Sequence, residues 1–170
     1  MFKIVTPRLT LRELDLEDAG NLLGIFSDPE AMRYYPATKS LEETRVWIRS
    51  NKERYQRYGF GIWGAYARED DRFLGQCGLL VQDVDQKTEL EIGYMFLRQF
   101  WGQGFATEAA SACRDYAFQR LGSKRVISLI DPANVKSIRV AQKVGMQWEK
   151  EVHKWDKLIH VYALKKDEGR

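Results

Sequence analysis

Histidine and cysteine are scarce, with two of each in 170 residues. Cys77 and Cys113 form no C-x-x-C pair, and His153 and His160 lie far from both along the chain. Zinc-type ligand spacing is therefore absent and no metal is expected. Two reduced core thiols are the simplest reading of the cysteines. Long hydrophobic runs are missing as well. No stretch approaches the roughly 18 apolar residues that cross a bilayer. The opening MFKIVTPRLTLRE has charges at Lys3 and Arg8 and no apolar run of the secretory kind. No membrane partner and a cytoplasmic location follow as expectations. An excess of one charge is missing too. The 27 Lys+Arg and 24 Asp+Glu are interspersed, with only Lys165-Lys166 as a small basic cluster, which gives no case for nucleic-acid binding. There is no internal repeat, low-complexity tract or linker. One domain over residues 1–170 is expected, long enough to bury its own core.

What is present is clear punctuation between short periodic segments. Leu9, Leu11 and Leu14 mark a first strand, Leu9 to Leu14. Asp15, with Asp18 three residues on, caps a helix that reaches about Phe26 and stops before Pro29. Ser40 and Glu43 make a capping box for a second helix, with Leu41, Trp47, Ile48 and Tyr55 on one stripe and Gly59 at its end. Three strands follow, Phe60 to Ala67, Phe73 to Gln82 and Glu89 to Leu97, joined by polar turns at Glu69-Asp70-Asp71 and Asp83 to Lys87. Such short connections imply an antiparallel meander. A helix from Gln103 to Leu121 comes next, ended by Gly122, and then a strand from Arg125 to Ile130. Asn134 opens a helix over Val135 to Val144, Gly145 closes it, and strands Gln147 to Lys154 and Leu158 to Lys165 end the chain. The predicted order β α α β β β α β α β β is of the α+β class. It is a mixed, mostly antiparallel sheet flanked by helices, with one β-α-β crossover in its middle.

The crossover holds the sharpest local signal. A strand runs into Gln99-Phe100-Trp101-Gly102-Gln103-Gly104, and a helix begins at once. Two glycines one residue apart let the backbone turn tightly and approach a ligand. The helix start adds free N–H groups and partial positive charge, a combination that binds phosphate or pyrophosphate. A dinucleotide site fits poorly, because Thr107 stands where a third glycine belongs and no acidic residue ends the next strand, RVISLI. A phosphate loop of the G-x-x-x-x-G-K-[ST] type is excluded. A glycine-softened turn with no ligand is the competing structural reading.

The surrounding residues carry a family resemblance. Gln99, Gly102 and Gly104 match Q-x-x-G-x-G, and Trp101 to Ala109 read W-G-Q-G-F-A-T-E-A. Asn134-Val135-Lys136-Ser137, Ala141 and Val144-Gly145-Met146 form a second string, and Thr6 to Arg12 reads T-P-R-L-T-L-R. Together these resemble the GNAT superfamily of N-acetyltransferases, in its ribosomal-protein (RimJ/RimL-like) branch. The resemblance spans essentially the whole chain and is not specific to any substrate.

The resemblance implies a fold with splayed central parallel strands, Glu89 to Leu97 and Arg125 to Ile130, and acetyl-CoA between them as cosubstrate. It implies pantetheine contacts from the backbone of Met95, Phe96 and Leu97. It implies pyrophosphate contacts from the N–H groups of Gln99, Gly102, Gln103, Gly104, Phe105, Ala106 and Thr107. Asn134 would touch the pantetheine arm, or serve only as a helix N-cap. A neutral amine then attacks the thioester, which requires a proton acceptor and a group on the thiol side. Glu91 is the candidate base. Glu89 faces the same way and could share or swap that role, and a water chain is the alternative to both. Ser137, three residues after Asn134 on the same helix face, is the candidate acid or thiol-side donor, where many relatives carry tyrosine. His153 and His160 read more simply as structural, and Trp47, Trp63, Trp148 and Trp155 as core or groove walls. Tyr34-Tyr35-Pro36 lies where relatives line the acceptor pocket. The expected acceptor is a protein N-terminal amine. A small amine, or a non-catalytic acyl-CoA sensor, is the alternative, and a homodimer is compatible with the family.

Overall fold

A computed structural model describes residues 1–167. Its elements are strands β1 (Lys3–Val5) and β2 (Leu9–Glu13), helices α1 (Ala19–Phe26) and α2 (Leu41–Tyr58), and strands β3 (Ile62–Ala67), β4 (Phe73–Val84) and β5 (Lys87–Phe96). Helix α3 (Phe105–Gln119), strand β6 (Arg125–Ile130), helix α4 (Val135–Val144), and strands β7 (Gln147–Lys154) and β8 (Lys157–Lys165) complete the order. This is the expected mixed, mostly antiparallel α+β architecture. Among the described residues, eight strands form one sheet in the order β1-β2-β3-β4-β5-β6-β8-β7, and only the β5–β6 pair is parallel.

The local devices explain the boundaries. Asp15 and Asp18 exchange side-chain and backbone bonds, but over a 3-10 turn at Leu16–Asp18 that precedes α1. Ser40 and Glu43 close the capping box of α2, and Gly59 ends that helix at φ 79°. Of the predicted stripe on α2, Ile48 and Tyr55 are buried, whereas Leu41 is exposed. Strands β4 and β5 run longer than their apolar patterns suggest. Asp85 and Gln86, both with positive φ, form a two-residue turn that keeps the ladder paired to Val84↔Lys87. Strand β1 escaped sequence detection because three residues carry no period. Its neighbour Phe2 stacks on Trp63 at 4.4 Å.

Side-chain alternation along β3 divides the interior between the two faces of the sheet. Trp63 and Ala65 join Leu9, Leu11, Leu79 and Ile92 beneath α3 and α4, with Ala109, Cys113 and Ala141. Tyr66 points the other way, into a cluster with Leu22, Ile25, Phe26 and Ile48 from α1 and α2. Cys77 and Cys113 are both free, buried, and 3.6 Å apart in the first cluster. Helices on both faces leave the C-terminal ends of β5 and β6 as the place where the sheet opens.

Candidate active site

Strands β5 and β6 meet at one ladder position, Glu91↔Ile127. Beyond it the strands part, and side chains replace the missing ladder bonds. Ser128 Oγ donates to the Ile92 carbonyl at 2.7 Å, and the Leu129 N–H donates to Glu91 Oε2 at 3.2 Å. Glu91 therefore sits at the vertex of the opening, buried, with Gln82 Nε2 donating to its other oxygen at 2.9 Å. Burial outweighs these bonds and the nearby charge of Lys154, and lifts the carboxyl from 4.5 to about 7. Glu89 has a different fate despite sharing the strand face. It is held by Arg125, which also grips Glu149, in a three-residue ion cluster with N···O distances of 2.6–2.7 Å. That cluster occupies Glu89 structurally and leaves Glu91 as the carboxylate at the vertex.

The strand register selects which backbone groups face the opening. The Leu97 N–H donates to the Leu74 carbonyl, so the backbone groups of Leu97 and Met95 turn toward β4, and those of Tyr94 and Phe96 turn toward β6. The Phe96 carbonyl accepts from Trp101 Nε1 at 2.8 Å. The backbone contacts expected at Met95 and Leu97 therefore shift. The N–H of Phe96 remains at the gap, joined by the N–H and carbonyl of Tyr94.

Past Leu97 the chain makes a 3-10 turn at Arg98–Phe100 and then the glycine loop. Gly102 and Gly104 have φ of 76° and 82°, a region that disfavours side chains. Gly104 is the N-cap of α3, which therefore starts at Phe105 and not at Gln103. Among the described residues, no acceptor meets the backbone N–H groups of residues 102–107. Gly102, Gln103 and Gly104 are exposed. The predicted cradle is thus a run of free donors at a helix start, a fit for a pyrophosphate. Gln99 adds its carbonyl, which accepts from Gln103 Nε2 at 3.3 Å.

Across the opening, Asn134 caps α4, accepting from the Ser137 N–H at 3.3 Å. Ser137 Oγ donates to the Tyr94 hydroxyl at 3.2 Å, and that hydroxyl donates to the Ser137 carbonyl at 2.7 Å. Burial pushes the Tyr94 phenol well above its ordinary range, so it stays protonated. Sequence reasoning missed Tyr94. Its signal was its position three residues after Glu91 on the splayed strand, and only a contact 43 residues away reveals it.

The loop after α1 flanks the Glu91 vertex. Tyr35 is 45% exposed as a residue, but its hydroxyl end lies inward, where desolvation and, second, the charge of Glu91 push it up to about 12. Lys157 donates to the Tyr34 carbonyl at 3.2 Å and pairs with Asp131, linking this loop to the end of β6. Lys154 donates to the Asp83 carbonyl at 2.9 Å. His160 pairs with Glu151 and meets the Trp148 ring edge, a structural arrangement, and His153 is exposed. Trp63 is core, Trp47 donates to Gln76, and Trp148 and Trp155 are exposed.

A family model described as an acetyltransferase (GNAT) domain matches residues 8–147. The protein YkkB of Bacillus subtilis is 44% identical over 164 residues, covering 96% of this chain and 95% of its own. A solved acetyltransferase from Agrobacterium tumefaciens superimposes with a TM-score of 0.86 at 25% identity, over 98% and 95% of the two chains. The ribosomal L7/L12 α-N-protein acetyltransferase RimL, solved in complex with coenzyme A, shares the fold. Its TM-score is 0.77 at 20% identity, over 95% and 96% of the chains.

Proposed function

Because this chain belongs to the acetyltransferase (GNAT) family, we propose that it moves an acetyl group from acetyl-CoA to an α-amino group, first among them a protein N-terminus. The observation that carries this reading is the buried Glu91 carboxylate at the strand vertex, raised to about 7. An α-amino group titrates near ~8 and a lysine-like amine near ~10. Proton transfer to Glu91 then costs roughly 1.4 kcal/mol for the first and about 4 kcal/mol for the second. A carboxyl raised by burial accepts a proton more readily from the less basic α-amine. Lys154 acts on Glu91 electrostatically and Lys157 pairs with Asp131, so this end of the sheet carries both signs of charge and not the purely acidic lining a polycation such as spermidine favours.

Acetyl-CoA supplies the acetyl group as an activated thioester. The free N–H groups of residues 102–107 hold its pyrophosphate, with Gln99 shaping the loop, and the Phe96 and Tyr94 backbone groups hold the pantetheine arm. Asn134 and Ser137 close the opposite side. Glu91 accepts the proton released by the attacking amine, directly or through one water. The backbone donors of β5 stabilise the negative charge that develops on the carbonyl oxygen. Ser137 Oγ–H, which donates to the Tyr94 hydroxyl in the free protein, rotates to donate to the departing sulfur. The thiolate, with a pKa of roughly 8.5 by analogy with cysteine, leaves without needing a strong acid.

The test is thiol release from acetyl-CoA over an amine panel: free α-amine peptides, N-blocked lysine peptides, spermidine and an aminoglycoside. The α-amine peptides should give the highest kcat/KM. Preference for spermidine or for blocked lysine peptides contradicts the acceptor assignment. Tight acetyl-CoA binding without turnover of any amine indicates a sensor instead.

A further inference from the structure

The turn before β2 is fastened to the glycine loop by one partly buried acid. Glu108, on the first turn of α3, accepts from Thr6 Oγ1 at 2.5 Å, from the Arg8 N–H at 2.8 Å and from Arg8 Nε at 2.7 Å. Its side chain is only 16% exposed. Arg8 Nη1 continues to the Gln103 carbonyl at 2.9 Å, and its guanidinium lies 4.3 Å from the Phe105 ring centre. A side chain at Gly104 would begin 3.3 Å from Arg8 Nη2. We propose that Thr6, Arg8 and Glu108 form a clasp that sets the shape of the cradle, so that Arg8 and Glu108 are positioning residues for acetyl-CoA. The inference rests on residues 102–107 being the pyrophosphate cradle.

Peptide geometry sets the direction of the loop's donors. A trans peptide is planar, with its N–H opposite its C=O. Holding the Gln103 carbonyl toward Arg8 therefore turns the Gly104 N–H the other way, away from the guanidinium. The loop is exposed and flanked by two glycines that cannot fix their own φ and ψ. Left unheld, it would have to be ordered by the ligand, at a cost in affinity. The clasp does the ordering beforehand. Burial pushes the Glu108 carboxyl up, but the bonds from Thr6 and Arg8 hold it below the usual glutamate value, so the ion pair persists at neutral pH.

The discriminating experiment uses two thioesters, acetyl-CoA and S-acetylpantetheine, which lacks the pyrophosphate and adenosine. Glu108→Gln and Arg8→Ala should each raise the KM for acetyl-CoA about tenfold. The kcat and the amine KM should hold, as should kcat/KM for S-acetylpantetheine. Arg8→Lys should recover only part of the loss, since a single ammonium cannot span Glu108 and Gln103. Equal losses with both thioesters would mean general damage to the fold and would overturn the clasp. So would an unchanged acetyl-CoA KM in a wild-type background that binds CoA. If the wild-type protein itself fails to bind CoA by calorimetry, the cradle reading falls and takes the clasp with it.

Discussion

Glu91→Gln should inactivate the enzyme and stabilise it. The wild-type carboxyl titrates at about 7 in the fold against 4.5 when unfolded, because burial disfavours its charged form. Its folded value is raised, so its favourable contribution is complete below about pH 4.5 and is lost as pH climbs through 7. At ~1.4 kcal/mol per pH unit, holding the charge in the fold above pH 7 costs ~3 kcal/mol. Glutamine is nearly isosteric and neutral. Its carbonyl can keep the bond from the Leu129 N–H, and a flip of the Gln82 amide lets that side chain accept from the new NH2. The variant should therefore melt roughly 6–12 °C above wild type at pH 8.5, using 2–4 °C per kcal/mol for a chain of this size. The difference should vanish near pH 4.5. Turnover should fall by about two to three orders of magnitude, and the rise of kcat/KM with pH through about 7 should disappear. Calorimetric melts at the two pH values and a pH–rate profile check both halves. Equal melting temperatures at pH 8.5, with normal turnover, refute the reasoning. Glu89→Gln is the control: with Glu89 bound to Arg125, it should keep the acidic limb.

Three other outcomes are expected. Gly104→Val forces a branched side chain to φ 82° and sets its Cβ 3.3 Å from Arg8 Nη2, so CoA affinity should drop at least ~tenfold in a binding titration. Tyr94→Phe removes the hydroxyl that holds Ser137, which should cost about 1 kcal/mol of stability by denaturant unfolding and lower kcat severalfold. Lys157→Ala frees the Tyr34 loop from β8 and Asp131, so steady-state kinetics should show a severalfold higher amine KM with the acetyl-CoA KM unchanged.

The parts of this protein that were legible in its sequence are those written locally. The Ser40–Glu43 box, the Gly59 and Gly145 stops and the crossover around Gly102 and Gly104 each rest on residues a few positions apart, and the structure keeps them. What failed was what depends on distant partners. Alternation placed Glu89 and Glu91 on one face and could not rank them. The distinction lies in Arg125 and Glu149 on one side and Leu129 on the other. Assigning the gap contacts to three consecutive residues, Met95 to Leu97, overlooked that a strand points its amides alternately to two neighbours, one of which is β4. The tie between Arg8 and Glu108 joins positions 100 residues apart, and no local pattern announces it. The T-P-R-L-T-L-R string was visible, but its attachment to the cradle was not.

A single peptide carrying both a free α-amino terminus and an internal lysine, incubated with acetyl-CoA and this protein, separates the two amine classes in one reaction. Mass spectrometry of the fragments locates any acetyl group added. Acetylation should fall on the α-amino terminus and depend on Glu91. Acetylation at the lysine alone, or no transfer to this peptide under conditions where acetyl-CoA is bound and spermidine is acetylated, would contradict it.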